Sequence, residues 1–222
     1  MTTNQKLRYN VDICFCIEVT NTMFGVLDVV KSNVSKIIQF IKNDIEKQDR
    51  YIDNYRVKVI AFRDFDTDKE NSLEILDFVK LPENQEEFLT FVDKLRATGG
   101  KTGKSNGLEA LAMAMNSDWS KEGDRRRHII VVFSSSSTHP IEKKSEYKPD
   151  GMPINFEEMT DWWERRKMEG LAKRLVILAP ETEFWTDIAT HWEQVIHYPS
   201  RAGNNLSDED YKTIFTSGIR EI

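Results

Sequence analysis

The feature that most limits how this chain can fold is its alternation of short, unbroken apolar runs with longer stretches whose apolar residues step by three or four. Residues 11–17 form the first apolar run, and a polar turn, 18–22, follows at once. Leu27, Val30, Val34, Ile37, Ile41 and Ile45 then recur at the spacing of one helical face. Segment 56–62 reads as the second strand, and 72–79 follows so closely that it reads as an antiparallel edge strand. Phe88, Phe91, Val92 and Leu95 mark a helix over 86–95, and a glycine-rich loop, 98–103, leads into another carrying Leu108, Leu111 and Met115. Runs 129–133, 175–178 and 195–197 supply further strands, with helices expected over 155–169 and 184–192.

Strands that are apolar throughout and separated by helices imply a mostly parallel sheet covered on both faces. The expected fold class is therefore α/β and Rossmann-like, with an antiparallel edge strand and helices on both sides. At 222 residues and 39% hydrophobic composition, one domain spanning 1–222 is the default, with an insertion around 140–170 and a C-terminal helix over 208–222. That last helix is well marked. Ser207 and Asp210 have capping-box spacing, Leu206 and Tyr211 can staple it, and Tyr211, Ile214, Phe215 and Ile219 share its inner face. Segment 143–152 reads as a mobile loop.

Charge and composition exclude several functions. A formal net charge of −6 argues against a phosphate-backbone partner, so no nucleic acid is expected. Arg125, Arg126, Arg127 and His128 form a small basic cluster that reads as a solvated loop before the strand at 129–133. No apolar stretch approaches the roughly 18 residues of a spanning helix, so no membrane association and a cytoplasmic location are expected. Cys14 and Cys16 lie two apart in one strand, a poor geometry for a disulfide, and read as small core hydrophobes in a reducing compartment.

In an open parallel sheet, ligands bind beyond the strand C-termini. That rule selects segments 18–22, 98–105 and 134–139. The sequence Asp12-Ile13-Cys14-Phe15-Cys16-Ile17-Glu18-Val19-Thr20-Asn21-Thr22-Met23 resembles the opening strand and Asp-x-Ser/Thr-x-Ser turn of von Willebrand factor A (vWA) domains. Gly99-Gly100-Lys101-Thr102 followed by Gly107-Leu108-Glu109-Ala110-Leu111 is similar to that family's second metal loop, and residues 129–135 stand where its apolar strand ends in Thr-Asp. Leu178-Ala179-Pro180, Tyr198-Pro199-Ser200, Ala202-Gly203 and Leu206-Ser207 resemble bacterial intracellular members.

The resemblance implies a non-enzymatic protein–protein interaction module whose intact site holds Mg²⁺. Carried over by position, the hydroxyl ligands are Thr20, Thr22 and Thr102, while Glu18 and Ser135 replace the two aspartates, so a degenerate site with weak or absent Mg²⁺ binding is expected. Lys101 is expected to act as a tethered substitute for the ion, with Lys101, Asn21 and His139 contacting the partner. The resemblance suggests another protein as that partner, a phosphatase or a kinase of the same system. Read without the resemblance, Thr20 and Thr22 could instead cap the helix near Met23, and Gly99, Gly100 and Thr102 could simply make a turn.

The competing reading is a nucleotide-binding enzyme using 98–105, which ends in Gly103-Lys104-Ser105. Thr98 stands where a phosphate loop needs its first glycine, and a helix-like segment precedes it instead of a strand. Ser134 to Ser137 near His139 suggest a hydrolase, but no Gly-x-Ser-x-Gly elbow is present. Trp162, Trp163, Trp185 and Trp192 fit either interface anchors or core.

Overall fold

A computed structural model describes residues 7–47 and 51–220; the side chains of 44, 45, 47, 51 and 216–220 are outside that description, and the expected inward positions of Ile45 and Ile219 fall there. The chain runs β1 (Arg8–Glu18), α1 (Leu27–Lys47), β2 (Tyr51–Phe62), a short α2 (Phe65–Asp68), β3 (Leu73–Lys80), α3 (Gln85–Lys94), β4 (Lys104–Ser105) and α4 (Gly107–Met115). It continues through β5 (Arg125–Phe133), β6 (Ser137–Thr138), α5 (Phe156–Asp161), β7 (Lys173–Ala179), α6 (Glu183–His191), β8 (Val195–Pro199) and α7 (Asp208–Arg220).

Six strands form one sheet in the order β3-β2-β1-β5-β7-β8. Only β3 runs antiparallel to its neighbour, at the edge, as the short 62-to-73 connection requires. Side chains of β1 alternate between faces: Val11, Ile13, Phe15 and Ile17 join α1, α3 and α7 in one core, while Cys14 and Cys16 join α4, α5 and α6 in the other. Burying each large aliphatic side chain contributes about 1.5–3 kcal/mol, so a sheet apolar on both sides is stable only when both are covered. Both cysteines are free and buried. No described helix is long and apolar enough to cross a membrane.

Several expectations need correction. The basic cluster is no solvated loop: β5 begins at Arg125 and pairs along β1 from Tyr9↔Arg125 onward. The guanidinium of Arg127 lies 5.6 Å from the Tyr9 ring centroid, and His128 packs on Trp119, so these side chains are buried along their apolar surfaces. The helix expected over 155–169 is present over 156–166, where the six residues of α5 pass directly into a π-turn, Trp162–Arg166, closed by Lys167 N–H donating to the Trp162 carbonyl at 2.9 Å. All four of the tryptophans Trp162, Trp163, Trp185 and Trp192 are core residues, with Trp163 and Trp192 stacked at 5.6 Å. Segment 143–152 has no regular structure, but Lys143 and Lys148 both anchor it to the body. The capping box of α7 is present: Asp210 N–H donates to Ser207 Oγ, and Ser207 N–H returns a bond to Asp210 at 2.8 Å.

Candidate functional site

The chain leaves β1 for β2 and β3 on one side, then returns to lay β5 on the other side of β1. The C-terminal ends of β1 and β5 therefore flank the point where the winding reverses, the place where open α/β sheets form a crevice. Glu18 is the last residue of β1, and the serine run follows the last residue of β5.

Glu18 is completely buried, and its carboxylate collects five donors. Oε1 accepts from the hydroxyls of Thr20 at 2.6 Å, Thr22 at 2.8 Å and Ser136 at 2.8 Å. Oε2 accepts from the Ser134 hydroxyl at 2.7 Å and the Ser135 amide at 2.8 Å. The Ser135 hydroxyl donates onward to Thr22 at 2.8 Å, tying the first and third loops together. A carboxylate offers about four lone-pair sites, so five donors saturate it. Thr20 makes no side-chain cap bond, which removes the helix-cap reading; the chain instead forms a 3-10 turn, Asn21–Met23, before α1.

The second loop is stitched to the first through its backbone. Thr98 N–H donates to the Val19 carbonyl at 2.9 Å, and Asn21 N–H to the Gly99 carbonyl at 3.0 Å. Gly100 sits at φ +65° with its α-carbon so close to Thr20 that an added Cβ would stand 2.5 Å from the threonine Cβ. Only glycine satisfies both the backbone angle and the space.

Thr102, however, does not reach the Glu18 cluster. Its hydroxyl donates to Asp64 Oδ2 at 2.6 Å. Asp64 is fully buried at the start of α2, where Oδ1 caps the helix by accepting Asp66 N–H at 3.0 Å. His139 Nε2 lies 3.2 Å from the same Oδ2, and Lys143 Nζ lies 3.1 Å from that nitrogen and 2.7 Å from Asp66. Burial alone would raise the Asp64 pKa, but the Thr102 hydroxyl, His139 and the Asp66 amide outweigh it, and the carboxyl lies below its ordinary value.

The residues singled out in the sequence thus divide into two clusters and an exposed rim. Glu18, Thr20, Thr22 and Ser135 come together; Thr102 and His139 gather instead around Asp64. His139 is only 8% exposed, so it is a structural partner of Asp64 rather than part of an open surface. Asn21 and Lys101 are exposed, as expected for rim residues. Lys101 makes no ion pair with Glu18: among the described residues no cation stands within ion-pair distance of that carboxylate, whose charge is met by hydroxyls and an amide. Asp64 was missed by sequence reasoning, while Ser134 and Ser136 were placed in the third loop without their role as donors to Glu18. Asp64 was within reach of the strand-end rule, since it lies two residues beyond β2.

These residues do not fit a magnesium centre. The ion takes oxygen lone pairs in near-octahedral array at about 2.0–2.1 Å, usually with one or two carboxylates. Here the hydroxyls direct their protons at Glu18, the second carboxylate sits in a separate cluster with Thr102, and no group of three or more His, Cys, Asp or Glu suited to a metal occurs among the described residues. The loop 98–105 likewise departs from phosphate-loop order, because helix α3 precedes it and Lys104–Ser105 is a strand paired with Ser137–Thr138.

Fold and site together define an α/β domain of Rossmann-like type with a buried, hydroxyl-ringed carboxylate at the sheet's switch point. No family model matches the chain, and no curated protein matches it by sequence. Among solved structures it is similar to the pilus adhesin SpaC from Lactobacillus rhamnosus GG, with a TM-score of 0.57, 9% identity and 97% of this chain covered. The chain spans 30% of the adhesin's length, and the likeness is one of fold.

Proposed function

We propose that the chain is a non-enzymatic interaction module of the vWA type that binds another protein through the loops at the C-terminal edge of its sheet, without needing a divalent ion. The observation that carries this reading is the saturated Glu18 carboxylate. The extra methylene of glutamate brings the carboxylate among the hydroxyls of Thr20, Thr22 and Ser136, which donate to it instead of offering lone pairs to a metal. The exposed rim supports a contact role. Phe24 is 80% exposed beside this cluster, and Arg201 holds its loop by donating to the carbonyls of Thr22 and Phe24. Asn21 and Lys101 are also exposed on the loops around it. Candidate partners are the phosphatase or kinase that the resemblance suggests, and a cytoplasmic setting belongs to the same reading.

Titration calorimetry with MgCl₂ tests metal independence: the native chain should give no binding heat at millimolar Mg²⁺. Binding heat that disappears in Thr22→Ala would overturn it. Capture of the purified candidate partner should survive EDTA and fall about tenfold or more in the triple variant Asn21→Ala, Phe24→Ala, Lys101→Ala, whose thermal midpoint should stay unchanged. Full capture by that variant would move the interface elsewhere.

A further inference from the structure

Helix α4 carries a second fully buried carboxylate, and the site described above does not use it. Glu109 has no solvent exposure, and neither of its oxygens has a hydrogen-bond partner. The cation nearest to it is Lys148, whose Nζ lies 3.6 Å from Oε1 and also donates to the Ile141 carbonyl. Lys148 belongs to the segment that begins at His139, whose ring lies against Asp64. Lys143 fixes the same segment to Asp66. Two lysines thus pin one otherwise irregular loop to the body, one at the exposed Asp66 and one at a fully buried acid.

We propose that Glu109 and Lys148 form a proton-controlled latch on the 139–152 loop, closed when Glu109 is charged and released when it takes a proton. An ionised carboxylate buried in an apolar interior is costly unless a cation stays close, so the charged form holds Lys148 in place. The neutral form makes no such demand, and Lys148 is free to move to water with its loop. Burial pushes the Glu109 carboxyl up to about 7, against the opposing pull of Asn106 and of Lys148, so the two forms exchange close to neutrality.

Other ionisable groups on the elements packed around α4 are engaged elsewhere. On β1, the Cys16 thiol donates to the Ala110 carbonyl, and burial pushes it well up, so it stays neutral. On β2, Lys58 pairs with Asp77; just beyond it, Arg63 pairs with Glu74. His139, after β6, faces Asp64, and His128 of β5 is bonded to the Ser120 carbonyl. Beside the π-turn, Lys173 pairs with Glu164. Lys148 is the one partner within ion-pair distance of Glu109 among the described residues. The latch stands on this geometry alone; its effect on partner binding, through the wall formed by His139 and Lys143, rests on the function proposed above.

Hydrogen exchange of the full chain between pH 6 and pH 8, corrected for the intrinsic pH dependence of exchange, tests it without any partner. Amides 142–152 should be about tenfold better protected at pH 8 than at pH 6, the factor conferred by one pKa unit of coupling between two groups. The change should centre near the Glu109 midpoint, read in parallel from its carboxyl ¹³C shift. Glu109→Gln should hold the loop at its pH 6 protection throughout. Lys148→Met should do the same while moving the Glu109 midpoint upward. Protection of the native loop that is flat with pH, or a step that survives in either variant, would overturn the latch. These outcomes leave the partner-binding proposal untouched, which is judged by capture alone.

Discussion

Replacing Glu18 by glutamine keeps the shape of the side chain and removes its charge, so it isolates the worth of the saturated carboxylate. In one orientation the amide oxygen takes the Oε1 position, and the NH₂ then faces the Ser135 N–H that now donates to Oε2 at 2.8 Å. A backbone donor cannot turn round, so one buried N–H loses its acceptor. In the flipped orientation the NH₂ faces Thr20, Thr22 and Ser136, whose hydroxyls at 2.6–2.8 Å must all find other acceptors in a closed pocket. Either way at least one buried donor is orphaned, at about 1–3 kcal/mol, and the remaining bonds lose their charge assistance. The expected loss is about 2–4 kcal/mol, or roughly 4–16 °C in midpoint for a chain of this size. Urea denaturation at pH 7 measures it, with the m-value unchanged because the exposed area is the same. A loss under about 0.5 kcal/mol would refute the account, since it would mean that the five donors are satisfied without the carboxylate.

Gly100→Ala should separate the first two loops, because the added methyl meets Thr20 at 2.5 Å and φ is +65°; expect about 1–3 kcal/mol of destabilisation by thermal melting and weakened partner capture. Arg56→Met should cost about 3–5 kcal/mol in urea, since it strips the bidentate partner at 2.7 and 2.8 Å from the fully buried Asp12. For Glu109 the folded pKa of about 7 lies above the ordinary 4.5, so the folded state binds the extra proton between those values and stability falls as pH rises through that window. The total is about 3 kcal/mol, and Glu109→Gln should remove that slope from a pH series of chemical melts. The double substitution Glu18→Asp, Ser135→Asp should bind Mg²⁺ by calorimetry where the native chain does not, because the withdrawn carboxylate frees the hydroxyl lone pairs and a second acid returns.

The sheet was legible in the sequence because its signals are local. A five-residue apolar run such as Ile129–Phe133 or a stripe such as Leu27-Val30-Val34 fits one kind of element, and the edge strand after β2 followed from a connection too short for a crossover. What stayed hidden depends on pairings across the chain. Nothing local distinguishes Arg127 and His128 from loop residues; they become strand because β1 begins early enough to pair with them at Val11 and Asp12. The site was half legible for the same reason. The strand-end rule brought Glu18, Thr20, Thr22 and Ser135 into one group, but only the fold shows that Asp64 competes for Thr102 and His139. Lys148 reaches Glu109 from 39 positions away in the sequence, a contact that no spacing pattern encodes.

The order of strands also shapes how the chain must be made. Tyr9 pairs with Arg125 and Ile17 with Phe133, so the second edge of β1 waits for a partner 116 positions later. At synthesis rates of about 5–20 residues per second, that wait lasts roughly 6–23 seconds. During it β1 can pair with β2 on one side only, and the other side is an apolar, uncovered strand edge of the kind that recruits foreign strands. Glu18 waits too, with Thr20 and Thr22 already at hand but Ser134, Ser135 and Ser136 not yet synthesised. Chains truncated before β5 should therefore aggregate rather than fold as smaller units, because the middle of the sheet cannot close until β5 has emerged.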